Sequence, residues 1–143
     1  MAIRRTADAV WHGNLKDGSG SLTAPGGVLN NTPYSFKTRF GDAPGTNPEE
    51  LIAAAHAGCF TMAFSASLEK AGFTADSLTT RAQLTMDQVE GGYTITAIHL
   101  VTRGTAPGID AAKFLEIAES AKANCPVSKV LNAAITLDAA LGA

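Results

Sequence analysis

The sequence holds 143 residues, 45% of them hydrophobic and 17% charged, with 11 basic against 13 acidic residues and a net charge of −2. That balance belongs to an ordinary globular chain, long enough to bury a core without disulfide or metal staples, and it excludes wholesale disorder. No run of like charge offers a footprint for nucleic acid or an anionic membrane, so neither is expected as a partner.

A single domain over residues 1–143 is expected. Met1 to Asp8 has two arginines and no apolar stretch behind them, so it reads as neither a secretory signal nor a transit peptide, and the expected location is cytoplasmic. The first 40 residues read as three strands, with Lys16-Asp17-Gly18 and Pro25-Gly26-Gly27 as turns. In the third, Tyr34, Phe36, Thr38 and Phe40 alternate with Ser35, Lys37 and Arg39, which predicts a strand with Lys37 and Arg39 on its polar face. Gly41 to Gly45 ends it.

Asn47-Pro48-Glu49-Glu50 then opens a helix: Asn47 caps, proline suits the first turn, and the acids favour the positive end of the dipole. The helix is expected to run to about Ala71, with Gly72 as its stop. Leu51 to Leu68 carries no acid, lysine or arginine over 18 residues, near the length of a membrane span. His56, Gly58, Thr61, Ser65 and Ser67 interrupt it and no aromatic belt flanks it, so a core helix buried on nearly all sides by protein is the expectation. Such a helix is too apolar for a monomer's surface, and a second subunit is expected to complete its burial.

Ser77 to Met86 and Tyr93 to Thr102 predict a hairpin around Glu90-Gly91-Gly92. Asp110 caps a second helix that ends near Asn124, a short helix follows from Pro126 to Leu131, and a last strand runs through Ile135 and Leu137. Strands in blocks, separated by two main helices in the order βββ-α-ββ-α-β, indicate an α+β fold. There is no GxGxxG and no phosphate loop.

The chain has two cysteines, which a reducing compartment keeps as thiols unless they do redox chemistry. Cys59 lies too deep in its helix for the dipole to ionise it, and burial alone raises a thiol's pKa, so reactivity requires a nearby cation. Arg39 is the best candidate, always charged and able to hold two hydrogen bonds in a fixed fork, whereas His56 is mostly neutral at pH 7. A carboxylate would aim that arginine, and Glu49 and Glu50 are the available acids. Glu49 precedes Cys59 by ten helical residues, about 15 Å along a straight axis. Arg39 therefore serves both only by moving inward, or if parts of the site come from different subunits. Cys125 precedes Pro126 at the start of the last short helix, a place that favours a thiolate or a good leaving sulfur. Together the cysteines suggest a peroxidatic and a resolving thiol. Each residue also has a plain structural use: a cysteine as a small core side chain, an arginine as a solvated surface charge, His56 as a packed histidine, Glu49 as a helix-start acid. A zinc site from His56, Cys59 and Cys125 is disfavoured, because paired cysteine or clustered histidine ligands are missing.

Gly45-Thr46-Asn47-Pro48-Glu49-Glu50-Leu51-Ile52-Ala53-Ala54-Ala55-His56-Ala57-Gly58-Cys59-Phe60 resembles the osmotically inducible protein C and organic hydroperoxide resistance superfamily, closer to its OsmC branch. Pro33 to Phe40, Pro107-Gly108-Ile109-Asp110 and Ala123-Asn124-Cys125-Pro126-Val127-Ser128-Lys129-Val130-Leu131 carry the same likeness. The resemblance implies an OsmC-like α+β fold whose sheets wrap around two central helices in an intertwined homodimer. It also implies a thiol-dependent peroxidase for organic hydroperoxides, with hydrogen peroxide a further substrate, serving oxidative and osmotic stress defence. By the same likeness Cys59 is the peroxidatic thiolate, Cys125 the resolving cysteine, Arg39 the activating cation and Glu49 the carboxylate that orients it. The implied reductant is a dithiol of the lipoyl type, and no metal, haem or flavin cofactor is needed. The alternative is a dimeric apolar-ligand-binding module whose cysteines only pack.

Overall fold

In the computed structural model, which describes Met1–Ala143, the first strands form the expected hairpin. β1 (Asp8–His12) and β2 (Ser19–Thr23) pair antiparallel, Asp8 opposite Thr23 and His12 opposite Ser19. Asn14 Oδ1 accepts the Asp17 N–H at 2.8 Å to close the turn. β3 (Thr32–Tyr34) adds to the free edge of β2 and stops at Tyr34.

The third strand is shorter than its alternation predicts, because residues 36–40 are helical. α1 (Phe36–Phe40) starts at Ser35, whose hydroxyl accepts the Thr38 N–H while the Thr38 hydroxyl accepts the Ser35 N–H, a reciprocal capping box. The spacing of Phe36 and Phe40 fits one helical turn as well as strand alternation. Their rings stack with centroids 4.9 Å apart. The local capping bonds decide between the two.

α2 (Pro48–Lys70) begins as expected, with Asn47 Oδ1 accepting the Glu50 N–H at 2.8 Å. It ends at Gly72, whose φ of +93° lets the Phe73 N–H turn back to the Leu68 carbonyl at 2.9 Å. Within the chain α2 buries one stripe, His56, Phe60, Phe64 and Leu68, rather than nearly every side. Met62, on another face, is 78% exposed. α2 is the one helix long and apolar enough to cross a membrane, with mean hydropathy 1.5.

β4 (Ser77–Val89) and β5 (Gly92–Thr105) form the second hairpin, bulged at Thr85/Met86. Leu78, Thr80, Ala82, Leu84 and Met86 face inward between exposed neighbours. α3 (Ala111–Asn124), capped by Asp110, and α4 (Pro126–Val130) carry the chain over to β6 (Ala134–Leu141). β6 runs parallel to β5, a pairing that needs such a crossover. The order is thus βββ-αα-ββ-αα-β, the expected sequence of strands and helices, the short helix after Pro126 included, with α1 added.

The chain divides into two compact units, Met1–Leu51 and Ile52–Ala143. The first holds the sheet β1-β2-β3, the second the sheet β4-β5-β6. In the second unit Phe60, Phe64 and Leu68 pack with Ile98 and Leu100 of β5 and with Phe114, Ile117 and Ala118 of α3. Phe64 sits between Phe60 and Phe114, with centroids 5.7 and 4.9 Å away. A chain of hydroxyls then ties α2 to the sheet: Thr61 Oγ1 donates to Thr80 Oγ1 at 2.7 Å, and Thr80 Oγ1 to Thr102 Oγ1 at 3.1 Å.

Candidate functional site

Arg39 belongs to α1, not to a strand face, and in the first unit it meets Glu49 at the start of α2. Its Nε donates to Glu49 Oε1 at 2.9 Å and its Nη2 to Oε2 at 3.0 Å. This bidentate fork fixes the plane of the guanidinium. Asn47 holds the two helix starts in register, since its Nδ2 donates to the Thr38 carbonyl at 3.0 Å while its Oδ1 caps α2. The pairing selects Glu49; Glu50 makes no bond to the arginine. The guanidinium carbon also lies 5.4 Å from the Phe40 ring centre. Beside it opens a cavity of about 270 Å³ lined by Trp11, Leu15, Tyr34, Phe36 and Phe40 as well as Arg39 itself.

The thiols meet in the second unit. Cys59 is half-buried midway along α2, and Cys125 is fully buried where α3 ends and α4 begins; neither is in a disulfide. The Cys125 N–H donates to the Ala121 carbonyl at 2.9 Å, and its own carbonyl accepts the Lys129 N–H at 3.1 Å, so its backbone is held by both helices. Cys59 packs against the buried cluster that contains Cys125, and the two thiols influence each other's ionisation.

The two sulfurs share their protons unequally. Burial raises the Cys59 pKa above its ordinary value, Cys125 raises it further, and the Val127 N–H only partly offsets them. Burial also acts to raise Cys125, but the donors around it, the Cys59 thiol, Ser128 and the Val127 N–H, outweigh burial and bring the pKa below the ordinary value. Cys125 closes no side-chain cap bond on α4, so the N–H groups at the start of that helix favour its thiolate without bonding it directly. Making Cys59 the anion requires positive charge from outside the thiol pair.

His56, one turn before Cys59, has no exposed surface. Its Nε2 lies 2.8 Å from Ser128 Oγ, and burial lowers its pKa, which keeps the ring neutral. The predicted residues thus form two pairs, Arg39 with Glu49 and Cys59 with Cys125, one in each unit. Ser128 was not singled out from the sequence. The signal for it is Pro126: a proline in the first helical position makes Cys125 the cap residue and Ser128 the third residue of the turn, whose donors turn back towards the cap.

The family profile described as OsmC-like protein matches residues 41–140. Peroxiredoxin OsmC of Escherichia coli (strain K12) is 51% identical over 138 residues, 96% of each chain. Organic hydroperoxide resistance protein OhrB of Bacillus subtilis (strain 168) is 30% identical over 78% of this chain and 80% of its own. The crystal structure of OhrB superposes with a TM-score of 0.69 at 26% identity, over 94% of this chain and 97% of that one. An OsmC-like protein from Mycoplasma pneumoniae shares the fold, with a TM-score of 0.77 at 15% identity over the whole of both chains.

Proposed function

The chain belongs to the OsmC-like protein family and is a cysteine-based peroxidase; we propose that it reduces organic hydroperoxides to alcohols through a Cys59 sulfenic acid and a Cys59–Cys125 disulfide. The observation that carries this reading is the placing of both thiols in one core, Cys59 half-buried and packed against the cluster in which Cys125 is fully buried. Two free thiols sharing one core are what disulfide closure needs, whereas packing alone needs neither cysteine near the other.

Cys59, as thiolate, attacks the outer oxygen of the hydroperoxide. The S–O bond forms, the O–O bond breaks, and the departing alkoxide takes a proton to leave as alcohol. Cys125 then attacks the sulfenic sulfur; the S–S bond forms, the S–O bond breaks, and hydroxide leaves as water after taking a proton. A dithiol of the lipoyl type returns the disulfide to two thiols by exchange. Arg39 is the cation that favours the Cys59 thiolate and the negative charge growing on the alkoxide, and Glu49 holds it in orientation. The aromatic cavity beside Arg39 suits a hydrocarbon tail better than hydrogen peroxide. The working unit is a homodimer in the cytoplasm, acting in defence against oxidative and osmotic stress.

Turnover of a hydroperoxide panel with a dithiol tests the reading. Bulky organic hydroperoxides are expected to be consumed faster than hydrogen peroxide, and Cys125→Ser to complete one oxidation and then stall with its sulfenic acid trapped. Sustained dithiol-driven turnover by Cys125→Ser would remove the disulfide from the cycle, and no consumption by the native chain would leave the apolar-ligand module in its place.

A further inference from the structure

His56 takes no part in the chemistry above, yet it is the one polar member of a buried stripe otherwise made of Phe60, Phe64 and Leu68. A polar ring in that place costs free energy unless its hydrogen bonds are made. One of them is: Nε2 to Ser128 Oγ, 2.8 Å. Nδ1 is buried without a partner. Unpaired buried N–H groups are the rarer kind, so the ring proton belongs on Nε2, where an acceptor lies in reach, and Nδ1 keeps a bare lone pair. This tautomer makes Ser128 Oγ an acceptor towards His56 and frees its own hydrogen. Cys125 is the cap of the helical turn in which Ser128 is the third residue, so its sulfur is the neighbour placed to receive that hydrogen. Donors therefore run in one direction, from His56 through Ser128 to Cys125, and end beside Cys59.

We propose that His56 and Ser128 are positioning residues for disulfide closure, the imidazole fixing the serine hydroxyl so that it donates to Cys125 Sγ and holds that sulfur facing Cys59. The inference rests on the peroxidase reading, because it concerns the second step of that cycle. A hydroxyl fixed from behind holds the sulfur in one direction while leaving its attacking lone pair free. It also explains why an apolar helix keeps an imidazole 72 residues away in sequence from its partner. Neither residue touches the hydroperoxide, so both act through Cys125.

The test separates the two steps. Reduced protein is mixed with cumene hydroperoxide, quenched in acid at intervals, and its thiol, sulfenic and disulfide forms are counted by intact mass. In Ser128→Ala the ratio of the closure rate to the first oxidation rate should fall about tenfold, the effect of losing one hydrogen bond to a charged sulfur. Ser128→Thr, which keeps the hydroxyl, should restore it. His56→Leu should lower the ratio as far as Ser128→Ala, and the double variant no further, since both break one chain. A native ratio in Ser128→Ala overturns the inference and leaves the peroxidase reading standing; so do losses that simply add in the double variant. Native protein that forms neither sulfenic acid nor disulfide overturns the peroxidase reading, and this inference with it.

Discussion

Arg39 and Glu49 form a bidentate pair, with side chains 38% and 14% exposed. A pair so placed contributes no more than about 1 kcal/mol to stability, so its removal is expected to be felt in chemistry rather than in folding. Arg39→Ala should leave the unfolding midpoint nearly unchanged, leave Cys59 at the raised pKa that burial and Cys125 give it, and slow its first oxidation by about tenfold or more. Thiolate absorbance against pH, read beside urea unfolding, checks both halves; an unaltered titration removes Arg39 from its role. Residue types alone pointed to the two cysteines, to Arg39 and to one of two acids, since a buried thiol needs a cation and a forked cation a carboxylate; Glu49 and the four roles came from the family resemblance. Chemistry alone left Glu49 and Glu50 open, since adjacent acids on a helix differ only in direction, and the fork to Glu49 depends on where α1 turns Arg39. Ser128 lay outside that reading because a serine gains meaning only from what folds against it, here an imidazole one turn from Cys59.

At the scale of elements, the long pieces were legible and one short piece was not. α2 was written in its ends, Asn47-Pro48 and Gly72, and β4 in its alternation from Leu78 to Met86. Both signals are long enough for one period to exclude the other. Phe36 to Phe40 is too short for that, and its aromatic spacing serves strand and helix alike. Ser35 settles it, through bonds of 2.8 and 3.3 Å with Thr38. Ser35→Ala should therefore destabilise the chain by about 1 kcal/mol. It should also slow Cys59 oxidation, because Arg39 rides on α1, whereas Ser35→Thr should keep both. Thermal unfolding beside single-turnover oxidation checks this; full activity in Ser35→Ala would mean that Arg39 is placed without its cap. The bulge opposite Thr85 and Met86, where Thr96 of β5 is left between Ala97 and Ile95, had no signal in the sequence, since a threonine is at home in a regular strand.

For the molecule as a whole, the outstanding fact is how little of α2 one chain covers. Its stripe from His56 to Leu68 is buried, but Met62 and the small residues Ala54, Gly58 and Ser65 are exposed. An apolar face of that length is expected to be covered by a second copy, so sedimentation equilibrium should give a dimer, and Met62→Glu should shift it towards monomer. A native monomer at all concentrations would contradict the homodimer. The fold class followed from the order of strands and helices, while the division at Leu51 into two units did not, because α2 runs through it without a break in its pattern. The account rests on Cys59 being oxidised and Cys125 closing on it. The most direct measurement is the intact mass of the fully reduced protein before and after one equivalent of an organic hydroperoxide. Native protein should lose two hydrogens, and Cys59→Ser should not change; a native mass that stays constant, or a Cys59→Ser variant that consumes the peroxide equally well, would contradict it.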